Sequence, residues 1–337
     1  MVFVLKPNVS KEQTETFMKS WEDKGFSAIL SPGTEHTAVC LIGNTANIDM
    51  DDVVHTSGIV EYGKRITERY KVAARSVHPD DTVIKVGNAV FDRHHFPVIS
   101  GPCSVESEEQ IIMLARAVKQ SGAKILRGGA FKPRSSPYSF QGLGADGLRY
   151  LLAAKKDTGL PIVTEIMNQT QLPLFEDVDI IQIGARNMQN FDLLKCAGTA
   201  GKPILLKRGP ASTIEDLLLS AEYLMVSGCR DVILCERGIR TFETATRNTL
   251  DLSSVPLLKQ KTHLPVIVDP SHATGIRSLV RPLSHAILAV GADGLMLETH
   301  NDPAAALCDG AQSLNLREFD DLMADLKLRS VIERKEV

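Results

Sequence analysis

From residue 97 to the C-terminus, short apolar runs alternate regularly with amphipathic stretches. Eight of the runs are predicted strands, at 98–100, 125–127, 161–164, 180–183, 203–206, 232–235, 266–268 and 294–297. Helical periodicity between them, as at 108–120, 213–226 and 276–290, is typical of a parallel sheet covered by helices. Eight β/α units in roughly 230 residues predict an α/β fold of the (β/α)8 TIM-barrel type. The alternative is a doubly wound open sheet, but no glycine fingerprint follows the first strand.

The first 66 residues have a different pattern. Strands are predicted at 1–5, 27–30, 37–42 and 60–62, and helices at 10–24 and 47–55. The order βαββαβ is that of a small ferredoxin-like domain. A hairpin is predicted from 82–86 and 89–91 around Gly87-Asn88. We therefore expect a ferredoxin-like domain at 1–66, a linker with a hairpin cap at 67–96, and a catalytic TIM barrel at 97–337.

Composition excludes several classes of protein. The 337 residues include 38 basic and 41 acidic side chains, so there is no basic excess of the kind that binds nucleic acid. No apolar run approaches the ~20 residues of a membrane helix, and the N-terminal residues do not resemble a signal peptide. The six cysteines form no C-x-x-C pair. We expect reduced thiols, a cytoplasmic location and no membrane or nucleic-acid partner.

Barrel enzymes place their active sites at the C-terminal ends of the strands. Each of the eight predicted ends carries a polar, charged or metal-competent group, in segments that begin at Gly101, Arg127, Glu165, Gly184, Lys207, Glu236, Asp269 and Glu298. Randomly scattered surface charge accounts poorly for all eight. Two subsets of these side chains indicate two kinds of ligand.

The first subset is cationic and comprises Arg127, Lys132, Arg134, Arg186, Lys207 and Arg237. At one barrel mouth these charges would repel one another unless an anion lay among them. Arg binds phosphate or carboxylate as a bidentate fork, and Lys binds as a point charge. The set predicts one ligand with several negative charges or two anionic ligands. For any single member, an exposed charge in a weak surface ion pair is the alternative.

The second subset is metal-competent and comprises Cys103, His272, Glu298 and Asp309. A thiolate, an imidazole and two carboxylates suit a divalent first-row metal ion. Their spacing matches no zinc-finger pattern, so only a barrel would bring them together. Taken singly, Cys103 is more typical of a buried thiol.

Taken together, these motifs resemble the 3-deoxy-D-arabino-heptulosonate 7-phosphate (DAHP) synthases of the type I-beta group, which carry an N-terminal ferredoxin-like domain. The resemblance covers essentially the whole chain. It is carried by the segments GPCSVE at 101–106, RGGAFKPRS at 127–135, GARN at 184–187, LKRG at 206–209 and DPSH at 269–272. It implies a transferase at the first step of the shikimate pathway, which condenses phosphoenolpyruvate with erythrose 4-phosphate and releases phosphate.

The resemblance also implies roles for individual residues. One divalent ion (Mn²⁺, Co²⁺, Zn²⁺, Fe²⁺ or similar) would be held by Cys103, His272, Glu298 and Asp309. Phosphoenolpyruvate would be bound by Arg127, Lys132, Ala185, Arg186, Lys207 and Arg237, and erythrose 4-phosphate by Pro133, Arg134, Ser135, Asp269 and Arg277. Lys132, Glu165 and His272 are the implied catalytic residues. The loop before Arg277 departs from the family pattern, because Ile276 stands where a polar residue is expected.

Regulation and assembly follow from the resemblance alone. It implies feedback inhibition by tyrosine or phenylalanine through the ferredoxin-like domain, and a homotetramer. Ser31, in the predicted turn 31–34, is the expected effector contact. The alternatives are a domain that only packs against the rest of the chain and a turn serine without a ligand.

Three rival functions differ in what they require. The sister enzyme 3-deoxy-D-manno-octulosonate 8-phosphate synthase shares the barrel, but has Lys-Ala-Asn-Arg where this chain has Lys132-Pro133-Arg134-Ser135. A Schiff-base aldolase would use Lys207 as nucleophile and would need no metal-competent set. A barrel that only senses metabolites would not need the four metal ligands and the cations together.

Overall fold

The computed structural model describes residues 1–32, 37–65, 68–133 and 136–337. The chain divides into two units. The first consists of residues 1–81 with 260–263, and the second of residues 82–259 with 264–337. The domain boundaries expected after residues 66 and 96 stay a prediction.

The first unit contains the ferredoxin-like module. Its strands are β1 (Val2–Leu5), β2 (Ser27–Pro32), β3 (Thr37–Ile42) and β4 (Val60–Lys64), and its helices are α1 (Lys11–Glu22) and α2 (Met50–Thr56). The strands pair in the order β2-β3-β1-β4, and each of these pairings is antiparallel. The predicted βαββαβ fold is therefore confirmed.

Local sequence explains where the two helices of this module begin. Ser10 and Gln13 form a reciprocal capping box at the start of α1. The Asp49 carboxylate accepts hydrogen bonds from two backbone amides of the first turn of α2, so this helix begins at Met50, three residues later than predicted. Phe3 stacks on Trp21 with ring centroids 6.0 Å apart, and this contact fixes α1 to the sheet.

Ser31 lies in a strand, and the expectation that it lies in a turn is wrong. It pairs with Ala38 in the ladder between β2 and β3, which continues one residue further, to Pro32 opposite Thr37. Only 5% of Ser31 is exposed, because extension of the ladder carries this residue into the packed sheet. The rest of the predicted turn, at 33 and 34, lies outside the described residues, and the effector role of Ser31 stays a prediction.

The second unit contains a hairpin and a closed parallel barrel. The hairpin pairs β5 (Ile84–Val86) with β6 (Ala89–Phe91). The described barrel strands are β7 (Val98–Gly101), β8 (Ile125–Arg127), β9 (Ile162–Ile166), β10 (Ile180–Ile183), β11 (Ile204–Lys207), β12 (Val232–Glu236), β13 (Val266–Val268) and β14 (Leu295–Glu298). They pair in chain order, and β14 returns to β7, which confirms the predicted TIM barrel.

Helices follow or lie between these strands. Within the described residues they are α3 (Glu108–Ser121), α4 (Ala145–Thr158), α5 (Phe191–Gly198), α6 (Ile214–Val226), α7 (Ser254–Lys261), α8 (Pro270–Thr274), α9 (Arg277–Ala289) and α10 (Leu316–Glu333). The predicted helices correspond to α3, α6 and α9. The short α8 starts directly after β13, because the Asp269 carboxylate caps it and Pro270 occupies its first turn.

The barrel interior and the hairpin share one apolar core. Inward-facing residues of the strands, such as Ile99, Leu205 and Met296, form a single buried cluster with Ile84 and Phe91 of the hairpin. The hairpin therefore closes the end of the barrel where the strands begin. The opposite end, where the strands finish, is left for polar side chains.

Candidate active site

A cavity of about 380 Å³ lies at the C-terminal ends of the barrel strands. Ten of the residues predicted as site residues line it: Arg127, Lys132, Pro133, Glu165, Ala185, Arg186, Lys207, Arg237, His272 and Asp309. The parallel strands bring these side chains together although their positions span 183 residues of sequence (309 − 127 + 1). Positive side chains dominate the described lining, as the sequence predicted.

The four metal-competent side chains converge at this end of the barrel. One potential ligand atom from each of Cys103, His272, Glu298 and Asp309 lies within 4.8 Å of all the others. His272 Nε2 is 3.2 Å from Glu298 Oε1, and Cys103 Sγ is 3.4 Å from Asp309 Oδ2. A soft sulfur, a nitrogen and two hard oxygens at this separation fit a divalent transition-metal ion. The chemistry and the spacing of the donor set therefore both suit a metal.

Neighbouring side chains fix the orientation of this cluster. Asp269 Oδ2 accepts a hydrogen bond from His272 Nδ1 at 2.6 Å, so Nε2 faces Glu298. Gln312 Nε2 donates to Glu298 Oε2 at 2.5 Å, and Arg127 Nη1 donates to Glu298 Oε1 at 2.8 Å. Support of this kind sets the tautomer and direction of ligating groups. Gln312 was not predicted, because it acts through Glu298 and follows no strand.

Burial, hydrogen bonds and neighbouring charges together set the pKa values of the cluster and of the cation beside it. It lowers the pKa of His272, although Asp269 and Glu298 oppose the effect. A hydrogen bond with Cys308, followed by burial, raises the pKa of the Cys103 thiol well above its usual value. Burial opposes the charge of Lys132, but nearby Cys103 and acidic groups raise its pKa overall. Lys132 Nζ lies 3.0 Å from Cys103 Sγ, so a cation borders the cluster directly.

Glu165 lies near the C-terminal end of β9 and lines the cavity. Burial raises its pKa, against the influence of Lys132 and Lys207. Gln182 Nε2 donates to Glu165 Oε2 at 3.2 Å. Gln182 was not predicted either. The sequence did contain a signal, because Gln182 is a polar residue within the otherwise apolar strand β10.

Two predicted cations are anchored to the metal-competent side of the site. Lys207 forms an ion pair with Asp269, which also orients His272. Arg237 Nη2 donates to the carbonyl oxygen of His272 at 3.0 Å. Burial lowers the pKa of Arg237, with Asp269 opposing the shift. An anion placed between these cations would relieve the cost of keeping them close together.

Other predicted residues lie elsewhere. Asp269 is buried behind His272 and Lys207 and is absent from the described cavity lining. Arg277 begins α9, lies 3.8 Å from Glu318, and is not among the described lining residues. Arg134 and Ser135 lie outside the described residues.

Arg247 is a lining residue that the sequence did not predict. It lies in the long connection between β12 and α7, and its Nη2 is 3.4 Å from Asp309 Oδ1. The backbone amide of Arg247 donates to the carbonyl oxygen of Thr274, which ties this connection to α8. Its position eleven residues beyond the end of β12 (247 − 236) gave no signal, because residues that far along a loop have no fixed place in the barrel.

The fold and the site define a class: a TIM-barrel enzyme whose mouth combines a metal-competent cluster with a cavity for anionic substrates. Residues 81–331 match the family model for the DAHP synthetase I family, and residues 1–68 match that for the DAHP synthase ferredoxin-like domain. The chain therefore belongs to the DAHP synthase family, and the predicted enzyme class, a 3-deoxy-7-phosphoheptulonate synthase of aromatic amino acid biosynthesis, is confirmed.

Individual relatives agree with this assignment. The chain is 48% identical to a phospho-2-dehydro-3-deoxyheptonate aldolase of Thermotoga maritima over 328 residues, which is 97% of each chain. A crystal structure of the Thermotoga maritima DAHP synthase matches with a TM-score of 0.79 and 46% identity, covering 100% of this chain and 98% of that one. A 2-dehydro-3-deoxyphosphooctonate aldolase of Syntrophotalea carbinolica is 32% identical and covers 72% of this chain and 94% of its own length.

Among the residues that the structure describes, the helices are all too short or too polar to cross a membrane.

Proposed function

We propose that this protein catalyses a metal-dependent condensation of phosphoenolpyruvate, erythrose 4-phosphate and water, giving 3-deoxy-D-arabino-heptulosonate 7-phosphate and phosphate. The observation that carries the proposal is the position of the four metal-competent atoms, within 4.8 Å of one another, beside a cavity lined by five predicted cations. Family membership supports the two substrates. The metal requirement and the roles of the cavity-lining residues are supported by the geometry.

Phosphoenolpyruvate carries a carboxylate and a phosphate, and the cavity offers cations for both. We assign Arg127, Lys132, Arg186, Lys207 and Arg237 to this substrate, together with Ala185, which lines the same wall. Arg127 and Lys132 contact Glu298 and Cys103 of the metal-competent cluster. Lys207 contacts Asp269, and Arg237 contacts the main chain of His272. Several fixed positive charges in a largely buried site bind anions far more strongly than exposed ones do.

Cys103, His272, Glu298 and Asp309 would hold one divalent ion, of the Mn²⁺, Co²⁺, Zn²⁺ or Fe²⁺ type. When bound there, such an ion supplies Lewis acidity toward an aldehyde oxygen. Hydrogen bonds from outside the cluster support this role. Asp269 orients His272 and Gln312 orients Glu298, and neither Asp269 nor Gln312 is itself one of the four proposed ligands.

Side chains of the cavity support the bond changes. Carbon 3 of phosphoenolpyruvate attacks the aldehyde carbon, whose oxygen gains the electron pair of the carbonyl bond. Lys132 is held as a charged donor within reach of the cluster and would stabilise that oxygen and provide a proton. Glu165 would orient the water that adds at carbon 2 and accept its proton. The carbon–oxygen bond to phosphate then breaks while the new hydroxyl at carbon 2 becomes a carbonyl and passes its proton to the departing phosphate. Arg186, Lys207 and Arg237 would balance the charge of that phosphate.

The aldehyde substrate is assigned to the segment Lys132-Pro133-Arg134-Ser135. Pro133 lines the cavity next to Lys132, and Ser136 and Ser139 extend the same wall. The assignments of Arg134 and Ser135 rest on the family motif. Asp269 and Arg277 were also expected to contact this substrate, but their positions favour an indirect role for Asp269, through His272, and give Arg277 no support.

Regulation by tyrosine or phenylalanine and assembly as a homotetramer remain part of the proposal. Regulation is supported by the match of residues 1–68 to the ferredoxin-like domain of DAHP synthases, and the homotetramer rests on the family resemblance. Deleting this domain from the chain should abolish inhibition by the aromatic amino acid and leave metal-dependent turnover. Inhibition that survives the deletion would contradict the regulatory role.

Phosphate release from phosphoenolpyruvate by chelator-treated protein tests the whole proposal. We expect release when both Mn²⁺ and erythrose 4-phosphate are added, and none when either is missing. Release with arabinose 5-phosphate instead would transfer the assignment to the octulosonate enzyme. Borohydride inactivation that depends on substrate would favour the Schiff-base route through Lys207. No release under any condition would leave the sensor function as the better description.

A further inference from the structure

A buried ion cluster lies directly behind two of the cations that line the cavity. Arg208 Nη1 donates to Glu236 Oε2 and to Asp251 Oδ2, each at 2.9 Å. The side chains of Arg208 and Glu236 are 6% and 0% exposed. Neither residue lines the described cavity, and the proposed reaction assigns no step to either.

Strand alternation explains why this cluster and the cavity are close but separate. Successive side chains of a strand point to opposite faces, so Lys207 and Arg237 face the cavity while Arg208 and Glu236 face the surrounding helices. Lys207 ends β11 and pairs with Cys235 of β12, and the Arg208 amide donates to the carbonyl oxygen of Cys235 at 2.9 Å. The cluster thus joins the ends of two neighbouring strands from their outer face.

The cluster also fixes the backbone on each side of Arg237. Glu236 Oε1 accepts a hydrogen bond from the Gly238 amide at 2.6 Å, so the residue before Arg237 holds the residue after it. Gly238 has a φ of +91°, and a Cβ there would lie 2.8 Å from the Cβ of Asn248 and 3.0 Å from the Cα of Ala273. Little freedom remains for the main chain that presents Arg237.

A third contact links the cluster to the loop after β11. Arg208 Nε donates to the carbonyl oxygen of Ser212 at 3.1 Å, while Asp251 lies at the far end of the connection that contains Arg247. One guanidinium therefore fixes the loop after Lys207 and both ends of the loop after Glu236. A planar group with five donors suits such a junction, and a lysine could not replace it.

We propose that Arg208, Glu236 and Asp251 form a positioning cluster that holds Lys207 and Arg237 in the geometry needed to bind the phosphate of phosphoenolpyruvate. The proposal rests on the proposed function, since it takes phosphoenolpyruvate as the anion that these two cations bind. The three residues act through their neighbours and touch no substrate. Loosening the cluster should weaken phosphoenolpyruvate binding selectively and leave the aldehyde substrate unaffected.

The test variant is Glu236→Gln, which keeps the shape of the side chain but removes the charge opposite Arg208. In full-length protein loaded with Mn²⁺, we expect the KM for phosphoenolpyruvate to rise roughly tenfold, while the KM for erythrose 4-phosphate changes by less than about twofold. Asp251→Asn keeps the pair between Arg208 and Glu236, so it should raise the same KM by only about two- to threefold. Calorimetric titration with phosphoenolpyruvate alone should show the same order of affinities without turnover.

Asp293→Asn is the matched control. Asp293 is 1% exposed, accepts from Lys259 Nζ at 2.5 Å and accepts from the Val266 amide at 2.9 Å, but it lies at the opposite end of the barrel strands. It should lower the thermal midpoint as Glu236→Gln does and leave both KM values unchanged. The positioning role is refuted if active Glu236→Gln keeps the wild-type affinity for phosphoenolpyruvate, or if Asp293→Asn weakens it equally. Wild-type protein that fails to use phosphoenolpyruvate would instead refute the proposed function.

Discussion

Gly184 offers a way to move the Glu165 carboxylate, which we propose to act in catalysis, without removing it. Gly184 follows β10 and has φ −68° and ψ 156°, a backbone conformation that alanine adopts freely. A Cβ at this position would overlap Glu165 Oε1 and lie 2.6 Å from its Cδ and 3.1 Å from its Oε2. Gly184→Ala therefore leaves the main chain unstrained and acts first on the Glu165 side chain.

The structure gives the size of the displacement. Carbon atoms pack at about 3.5 Å or more, so Cδ of Glu165 must retreat by about 1 Å from the 2.6 Å separation. The movement also breaks the 3.2 Å hydrogen bond from Gln182, which costs about 1 kcal/mol of stability. A misplacement of this size in a reacting group can reduce a rate about 100-fold. We expect Gly184→Ala to fold normally and to lose about two orders of magnitude in kcat.

A double-mutant cycle separates this effect from a general disturbance of the barrel. Steady-state phosphate release would be measured for wild type, Gly184→Ala, Glu165→Ala and the double variant, with Mn²⁺ saturating. If the alanine acts through the carboxylate, it should change kcat by less than about twofold once Glu165 is absent. The reasoning would be refuted if Gly184→Ala had the kcat of wild type. It would also be refuted if Gly184→Ala lowered kcat by 100-fold even in the Glu165→Ala background.

Three further predictions concern stability and metal binding. Burial lowers the pKa of His263 from 6.5 to about 3, so between these two pH values the unfolded chain binds a proton that the folded chain does not. Stability should therefore fall by about 2 kcal/mol between pH 7 and pH 5. Thermal midpoints of His263→Gln, whose amide nitrogen can replace Nε2 as donor to the Val72 carbonyl oxygen, should show a smaller acid shift. Mn²⁺ at 100 times its Kd should stabilise the wild-type protein by about 2.7 kcal/mol. Cys103→Ser should lose most of this stabilisation in thermal unfolding at the same Mn²⁺ concentration. If the variant is stabilised as much as wild type, Cys103 is not a metal ligand. Gly101 has a φ of +150°, and a Cβ there would overlap the Arg127 carbonyl oxygen. Gly101→Ala should therefore lower the free energy of unfolding in urea by more than about 2 kcal/mol. A variant as stable as wild type would show that the ends of these two strands can move apart.

Local sequence patterns were sufficient where a feature depends on neighbouring residues. Apolar runs predicted each barrel strand to within one or two residues, because strands buried on both faces are continuous and short. The helix starts at Ser107 and Thr213 were also clear, since each side chain caps the first turn. The first few residues after a strand lie at the barrel mouth, which is why Cys103 and His272 were expected there.

Features that depend on long-range packing could not be predicted from the sequence. Arg247 reaches the cavity only because its loop hydrogen-bonds to Thr274, and no local pattern specifies that contact. Ser31 was placed in a turn because Pro32 and the glycine after it favour one, but pairing with β3 extends the strand to Pro32. Arg277 was chosen from the family motif, and its pairing with Glu318 of α10 joins residues 41 positions apart (318 − 277).

Asp269 serves two groups at once, because the same oxygen, Oδ2, accepts from His272 and pairs with Lys207. One carboxylate therefore divides its negative charge between the imidazole of the metal-competent cluster and an ammonium of the anion site. An anion that draws Lys207 toward itself leaves more of that charge to His272 and makes the imidazole a stronger electron donor. The two occupancies are thereby linked, and the linkage is reciprocal: each ligand must favour the other by the same factor. A single side chain can thus couple the two halves of the site, so that neither half would be populated independently of the other.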